Sequence, residues 1–456
     1  MTVLNDAIMY FLSFKSYVIL PVIILILAMV FRIKFGVALK SAITIGIGFI
    51  VIFIVFDYFV KIIYPVVQAL ITRSGLHVNV LDVGWPPLAA ITWSFKLAPV
   101  LLVIFMVINI LMLVLKLTRT VNIDIWNYWH VILLAAMVNN ITKNSFMAII
   151  SAALAFIFVL KVAEWSAPMV NKFSGMEGIC IPHLAALSYF PVALLGDKLI
   201  NNIKGLNKMN INPEKIQDKL GIIGEPMVLG LLIGAALGIG GGYDVKQISE
   251  VAFGFAAVIY ILPKMCGILG SSLVPISEGM KEFINSHFPG IGETYIGLDV
   301  AILFGVPSVV VTTLLLIPVA LILSFILPGV NFIPLGDLTN LMVPMAIICV
   351  VTKGNVVRSF LLGIPMIIGN LYIASNMASF FTNMARTANY EVAGYNGVFT
   401  SFLDGGNFLR AWITKLFSGD LVAMGFIPIA VWLMYFTWKM TKKERAAEVQ
   451  NNIESM

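Results

Sequence analysis

Asp124, Asn127 and His130 fall at three-residue intervals in the stretch 122–130, which reads Asn-Ile-Asp-Ile-Trp-Asn-Tyr-Trp-His. On a helix each step of three rotates the side chain by about −60°, so the three share roughly a third of the circumference. Trp126 and Trp129 flank the stripe, and the run 131–138 that follows is apolar. A helix here carries polar groups into an apolar phase, where ionisable side chains are costly and mark a pathway or a ligand site. The competing reading is an interfacial belt, with Trp and Tyr rings at the headgroups and Asp124 in water. His130, the deepest of the three, is the strongest candidate.

Two irregular stretches add to this set. Asp82, Gly84 and Trp85 stand beside Pro86 and Pro87. An indole there can pack against the C–H face of a sugar-like ligand, or anchor the interface. Asp299, in Gly297-Leu298-Asp299 before an apolar run, can accept two hydroxyl hydrogen bonds from a polyol and can also cap the following helix. Glu177 and His183 bracket Gly178-Ile179-Cys180-Ile181-Pro182, where the proline interrupts regular helix. Glu225 opens a helix, and the helix dipole alone accounts for a carboxylate there. Residues 238–242 read as a flexible turn, not a phosphate loop, because no Lys-Ser/Thr follows. The substrate-binding candidates are therefore Asp82, Trp85, Asn127, His130, Glu177, His183 and Asp299. His77, His130, His183 and His287 include no i, i+4 pair, and Cys180, Cys266 and Cys349 are scattered in apolar runs. No metal site, disulfide framework or cofactor is expected, and no GxxxxGK[ST] motif points to ATP hydrolysis.

The elements that must position these groups are membrane helices. The chain has 456 residues, 60% hydrophobic and 11% charged, with a mean hydropathy of +0.99. Its apolar runs are continuous, which predicts an all-α polytopic membrane protein and argues against a β-barrel. The net charge of +6 reports topology here, not nucleic-acid binding. Spans are expected at 17–31, 41–59, 95–117, 126–141 and 146–160, then at 222–237, 248–262, 300–327, 338–351, 360–373 and 417–438, about eleven in all. The first is expected to persist, since no basic n-region with a cleavage site marks it for removal. Stretches 61–93 and 175–195, broken by Gly and Pro, fit re-entrant hairpins. Lysines crowd the polar stretch around 198–219 and basic residues the tail from 439, which places both in the cytoplasm and the N-terminus outside. The expected organisation is a first repeat (1–196), a cytoplasmic linker (197–221), a second repeat with a final helix (222–438) and a cytoplasmic tail (439–456).

The repeat rests on three matches in the same order. Leu81-Asp82-Val83 recurs as Leu298-Asp299-Val300 (299 − 82 = 217), Asp124-x-x-Asn127 as Asp337-x-x-Asn340 (337 − 124 = 213), and Thr142-Lys143 as Thr352-Lys353 (352 − 142 = 210). A unit with an odd number of crossings must insert upside down relative to its mate, a recurring plan among transporters.

The motifs Asp82-Val83-Gly84-Trp85-Pro86, Val121-Asn122-Ile123-Asp124-Ile125-Trp126-Asn127 with Trp129-His130, Glu177-Gly178-Ile179 with Ile181-Pro182-His183, Gly224-Glu225-Pro226, Tyr243-Asp244-Val245-Lys246, Gly297-Leu298-Asp299 and Gly336-Asp337-Leu338 together resemble the galactitol-type enzyme IIC, the membrane permease of the bacterial phosphotransferase system (PTS). The related ascorbate permeases imply a homodimer with a V-motif scaffold, a moving core domain, eleven transmembrane helices and re-entrant hairpins around the sugar. The resemblance implies an inner-membrane protein that binds a hexitol, translocates it by an elevator motion and presents it to a cytoplasmic phosphorylated IIB, itself supplied by IIA. The permease would carry no phosphoryl group of its own, and His183, His130, Asp299 or Glu177 could assist deprotonation of the substrate. Leu134 stands one turn beyond His130, where ascorbate permeases carry Gln, which implies a different substrate. The alternative is an ion-coupled transporter that releases its polyol or sugar unmodified.

Overall fold

The computed structural model describes residues 10, 14, 16–74, 79–124, 126–206, 211, 222, 225–287, 294–387 and 397–454; His77 and most of the linker lie outside them. In the first half these are α1 (Ser16–Val30), α2 (Phe35–Ser74), β1 (Val80–Asp82), α3 (Trp85–Trp93), α4 (Ala98–Val114), β2 (Thr120–Asn122), α5 (Trp129–Thr142), α6 (Ser145–Ser174), β3 (Ile179–Cys180), α7 (Leu184–Leu187) and α8 (Phe190–Asn201). The second half has α9 (Pro226–Gly241), α10 (Val245–His287), β4 (Tyr295–Gly297), α11 (Pro307–Ile326), α12 (Met342–Val351), α13 (Val356–Thr387), β5 (Val398–Thr400), α14 (Phe408–Phe417), α15 (Leu421–Gly425) and α16 (Ile427–Glu454). The stretches α6, α11, α13 and Leu421–Lys442 are long and apolar enough to cross a membrane. The last of these is only 11% buried within the protein, so its apolar side chains face outward, as a lipid-contacting helix requires. Shorter apolar helices include α4, α5 and α12. The protein is thus an all-α membrane protein.

Left-handed residues recur at near-constant offset: Arg32 with Gly242 (242 − 32 = 210), Lys116 with Gly329 (329 − 116 = 213), and Lys143 with Lys353 (353 − 143 = 210). Helix pairs α1–α2 and α9–α10 turn in the same way. The Ile33 N–H donates to the Ala28 carbonyl at 2.9 Å and the Tyr243 N–H to the Gly238 carbonyl at 3.1 Å, the wrap-around bond that closes a helix beyond a left-handed residue. The long helices α2 and α10 lie antiparallel. Ile33 faces Gly279, Ile62 faces Gly254 and Arg73 faces Gly242, so residue numbers fall on one side as they rise on the other. Phe31 and Phe283 meet edge to face at 5.3 Å. These two long helices therefore run in opposite directions.

The short strands cross between halves. β1 pairs with β5, and β4 lies between β2 and β3, all parallel. Extended backbone buried among apolar helices must find partners for its N–H and C=O groups, and here each half supplies them to the other.

Several sequence expectations change. Residues 122–130 do not form one helical stripe: β2 ends at Asn122, Trp126–Tyr128 is a 3₁₀ turn and α5 begins at Trp129. Helix α2 continues past Pro65 to Ser74, so the broken hairpin shrinks to 79–93; packing along α10 outweighs the one hydrogen bond the proline removes. Helix α6 runs past Pro168 to Ser174, and α10 is 43 residues long. Residues 238–241 are the last turn of α9, with Gly242 as its left-handed cap. The expected span 300–327 breaks into a 3₁₀ turn, Val300–Leu303, followed by α11.

Candidate substrate site

Two carboxylate clusters each bring an aspartate of the first half together with one of the second, and they differ in how far they are satisfied. In the first, Asp82 at the end of β1 accepts hydrogen bonds from the backbone N–H groups of Gly84 (3.2 Å), Phe402 (3.1 Å) and Asp337 (3.2 Å). Asp337 accepts from the Trp85 N–H (3.1 Å), Asn340 Nδ2 (3.0 Å), the Leu403 N–H (3.2 Å) and the Ser401 hydroxyl. An ionised carboxylate offers about four acceptor positions, so this cluster is close to saturated. It is also close-packed: a Cβ on Gly336 would lie 2.5 Å from the Gly84 nitrogen, and Gly84 itself has φ +70. Only glycine fits such an approach without strain.

The second cluster is open. Asp299 caps the 3₁₀ turn by accepting from the Ala301 N–H at 2.7 Å, and its other oxygen accepts from Asn127 Nδ2 at 2.7 Å. The same amide nitrogen donates to Asp124 Oδ2 at 2.7 Å. Asn127 thus spends both amide hydrogens holding two carboxylates side by side. Asp124 is buried, yet its Oδ1 has no hydrogen-bond partner among the described residues, and Asp299 is partly exposed. The arrangement keeps acceptor capacity for an incoming donor.

A row of rings runs beside it. Trp85 lies 6.1 Å from Trp129, Trp129 3.8 Å from His130, and His130 4.3 Å from His183, centroid to centroid. His130 is the second residue of α5, and His183 precedes α7 just after Pro182. Asp404 faces His130 Nδ1 at 3.2 Å and pairs with the guanidinium of Arg410, which is 1% exposed. The Asp404 N–H donates to Ser401 Oγ at 3.2 Å, which ties this group to the saturated clasp. Arg410 stands in the first turn of α14, capped by Asn407, whose Oδ1 accepts from the Arg410 N–H at 3.1 Å and whose Nδ2 donates to Ser188 Oγ at 2.9 Å. A buried guanidinium needs such a carboxylate.

Of the residues singled out in the sequence, Trp85, His130 and His183 share the ring row, and Asn127 and Asp299 share the open cluster. Asp82 belongs to the saturated clasp. Glu177 is exposed in the turn before β3, and the structure does not bring it to either cluster. Glu225 holds the N-cap position of α9. Asp337, Ser401, Asp404 and Arg410 escaped the sequence reading. Asp337 carried a signal, as the repeat mate of Asp124; residues 401–410 matched no repeat motif and sit where no span was expected.

Helices long and apolar enough to cross a membrane, with carboxylates and aromatic rings buried among them, are the make-up of a membrane permease. The chain belongs to the PTS system sugar-specific permease component family, whose profile matches residues 10–394. It is 32% identical to the PTS system galactitol-specific EIIC component of Escherichia coli (strain K12), over 96% of this chain and 97% of that protein. The protein of the same description from Escherichia coli O157:H7 aligns with the same identity and coverage.

Proposed function

We propose that this protein carries a galactitol-like hexitol across the bacterial inner membrane and presents it to a cytoplasmic phosphorylated IIB. The observation that carries the reading is the open cluster of Asp124, Asn127 and Asp299 beside the Trp85–Trp129–His130–His183 row. Vicinal hydroxyls donate to the two carboxylates while the C–H face of the polyol lies on the indoles. Asp404 occupies Nδ1 of His130, leaving Nε2 to meet the ligand, and His183 Nδ1 has no partner among the described residues. In transfer, the S–P bond of a phosphocysteine on IIB breaks as the substrate oxygen bonds phosphorus. The hydroxyl proton passes to one of these bases and the cysteine leaves as thiolate.

The reading includes a homodimer with α1–α2 and α9–α10 as its fixed scaffold, an elevator-like core, an outside N-terminus and a cytoplasmic tail. The test is phosphoenolpyruvate-dependent phosphorylation of radiolabelled galactitol by membranes containing this chain, supplied with the general PTS proteins, IIA and IIB. Galactitol phosphate should form only with all components present. Uptake of unmodified galactitol driven by an ion gradient, with no phosphorylation, would instead establish the ion-coupled alternative.

A further inference from the structure

Away from the carboxylates and rings, a cavity of about 400 Å³ opens where four elements meet: the last turn of α6, the start of α11, the end of α12 and α16 just past its apolar stretch. It shares no residue with the substrate site. Lys172, Phe173, Ser308, Lys353, Gly354 and Glu444 are among its lining.

Three features of this cavity converge. Lys172 and Lys353 bring two positive charges, and Glu444 brings one negative, 3.6 Å from Lys353, with the two side chains 36% and 68% exposed respectively. The 20-residue helix α11 starts here on Pro307, which has no N–H, and Val309 and Val310 donate to the Val306 carbonyl at 2.9 and 3.3 Å, so the Ser308 N–H is the backbone donor left at a helix N-terminus, which favours an anion. Independently of both, the hydroxyl of Ser308, a residue 3% exposed, has no hydrogen-bond partner among the described residues. A buried donor of that kind needs an acceptor. The ends of membrane-crossing helices also place the cavity at the bilayer surface, on the side of the C-terminal tail.

We infer that this cavity binds a phosphate group, with Lys172, Lys353, Ser308 and the start of α11 as donors and Glu444 as the resident carboxylate that the ligand displaces from Lys353. A tetrahedral anion meets donors arriving from several directions better than a planar carboxylate does. Two sources share the chemistry: the headgroup of an anionic phospholipid, whose chains would follow Phe173 and the apolar wall, and a free phosphate.

The test uses the full chain in detergent and reads thermal stabilisation at constant ionic strength. The probes are inorganic phosphate, dihexanoyl phosphatidylglycerol and dihexanoyl phosphatidylcholine. Saturable stabilisation by phosphatidylglycerol alone identifies a lipid headgroup site; stabilisation by inorganic phosphate as well identifies a site for free phosphate. In either case the Lys172→Gln/Lys353→Gln variant should bind about ten- to a hundredfold more weakly. Glu444→Gln should bind severalfold more tightly, because Lys353 loses its competing carboxylate. If the double-lysine variant does not fold, Glu444→Gln and Ser308→Ala decide, the latter binding more weakly. The inference is overturned if neither anionic probe stabilises the parent, if phosphatidylcholine does so equally well, or if the variants respond like the parent.

Discussion

Asp82 and Asp299 are repeat mates with opposite fates. Asp82 takes three backbone N–H groups from three segments, while Asp299 takes one, plus the amide of Asn127. Their substitutions should therefore separate. Asp299→Asn and Asp124→Asn should weaken galactitol binding about ten- to a hundredfold, the effect of losing a charge-assisted hydrogen bond, with little change in melting temperature. Asp82→Asn should chiefly lower stability, because an amide nitrogen now faces a backbone donor; a cost of about 1–3 kcal/mol is expected. Calorimetric titration and thermal unfolding of the same samples check both. Glu177→Ala should alter neither, since that side chain is exposed. The Asp404–Arg410 pair makes a sharper case. Asp404→Ala strands a guanidinium that is 1% exposed, at about 3–5 kcal/mol, and frees Nδ1 of His130. Adding Arg410→Met should recover most of the stability but not the binding, because the ring of His130 still lacks its orienting partner. Recovery of both would show that Asp404 acts on stability alone.

At the scale of elements, the crossing strands make the halves interdependent. β1 and β5 meet in register from Val80 with Val398 to Asp82 with Thr400, and the clasp closes over Gly84 and Gly336. Gly336→Ala would drive a methyl group to 2.5 Å from the Gly84 nitrogen, so it should lower the melting temperature by several degrees and the affinity with it, whereas Gly369→Ala, where nothing lies within 4 Å of a Cβ, should leave both unchanged. These pairings also mark where sequence reading succeeds. Continuous apolar runs announce helices such as α4 and α12, and the Asp-x-x-Asn and Thr-Lys repeats locate equivalent turns, because each signal is local. The missing part is long-range. Three-residue strands are stabilised by partners more than 100 residues away, and neither hydrophobic period nor propensity records that. The stripe of Asp124, Asn127 and His130 misled for the same reason: helical spacing held, yet the pull of β4 on β2 keeps Asn122 extended, and the helix begins only at Trp129. Asp404 and Arg410 were hidden because an ion pair formed six residues apart on a turn has no sequence signature.

At the scale of the molecule, the proposed motion sets one block against the helices α1, α2, α9 and α10. The helices α1, α2, α9 and α10 pack antiparallel against one another through close approaches such as Ile62 on Gly254. The clasp and the ring row are joined by hydrogen bonds running from Asp82 through Asp337 and Ser401 to Asp404 and His130. The rigid-block motion proposed above keeps this network whole, including the bonds from the Asp337 and Phe402 N–H groups to Asp82. Movement of the whole block against the antiparallel helices preserves every one of those bonds. Cysteine cross-links from the block, at residues 127–130 or 299–303, to the scaffold, at 17–31 or 226–237, should therefore abolish galactitol uptake in vesicles while leaving equilibrium binding within a few-fold of the parent. Cross-links inside the block, such as between residues 80 and 398, which pair across β1 and β5, should leave uptake intact. Uptake that survives core-to-scaffold cross-links but fails with the internal ones would assign gating to the tips and exclude the rigid-block motion.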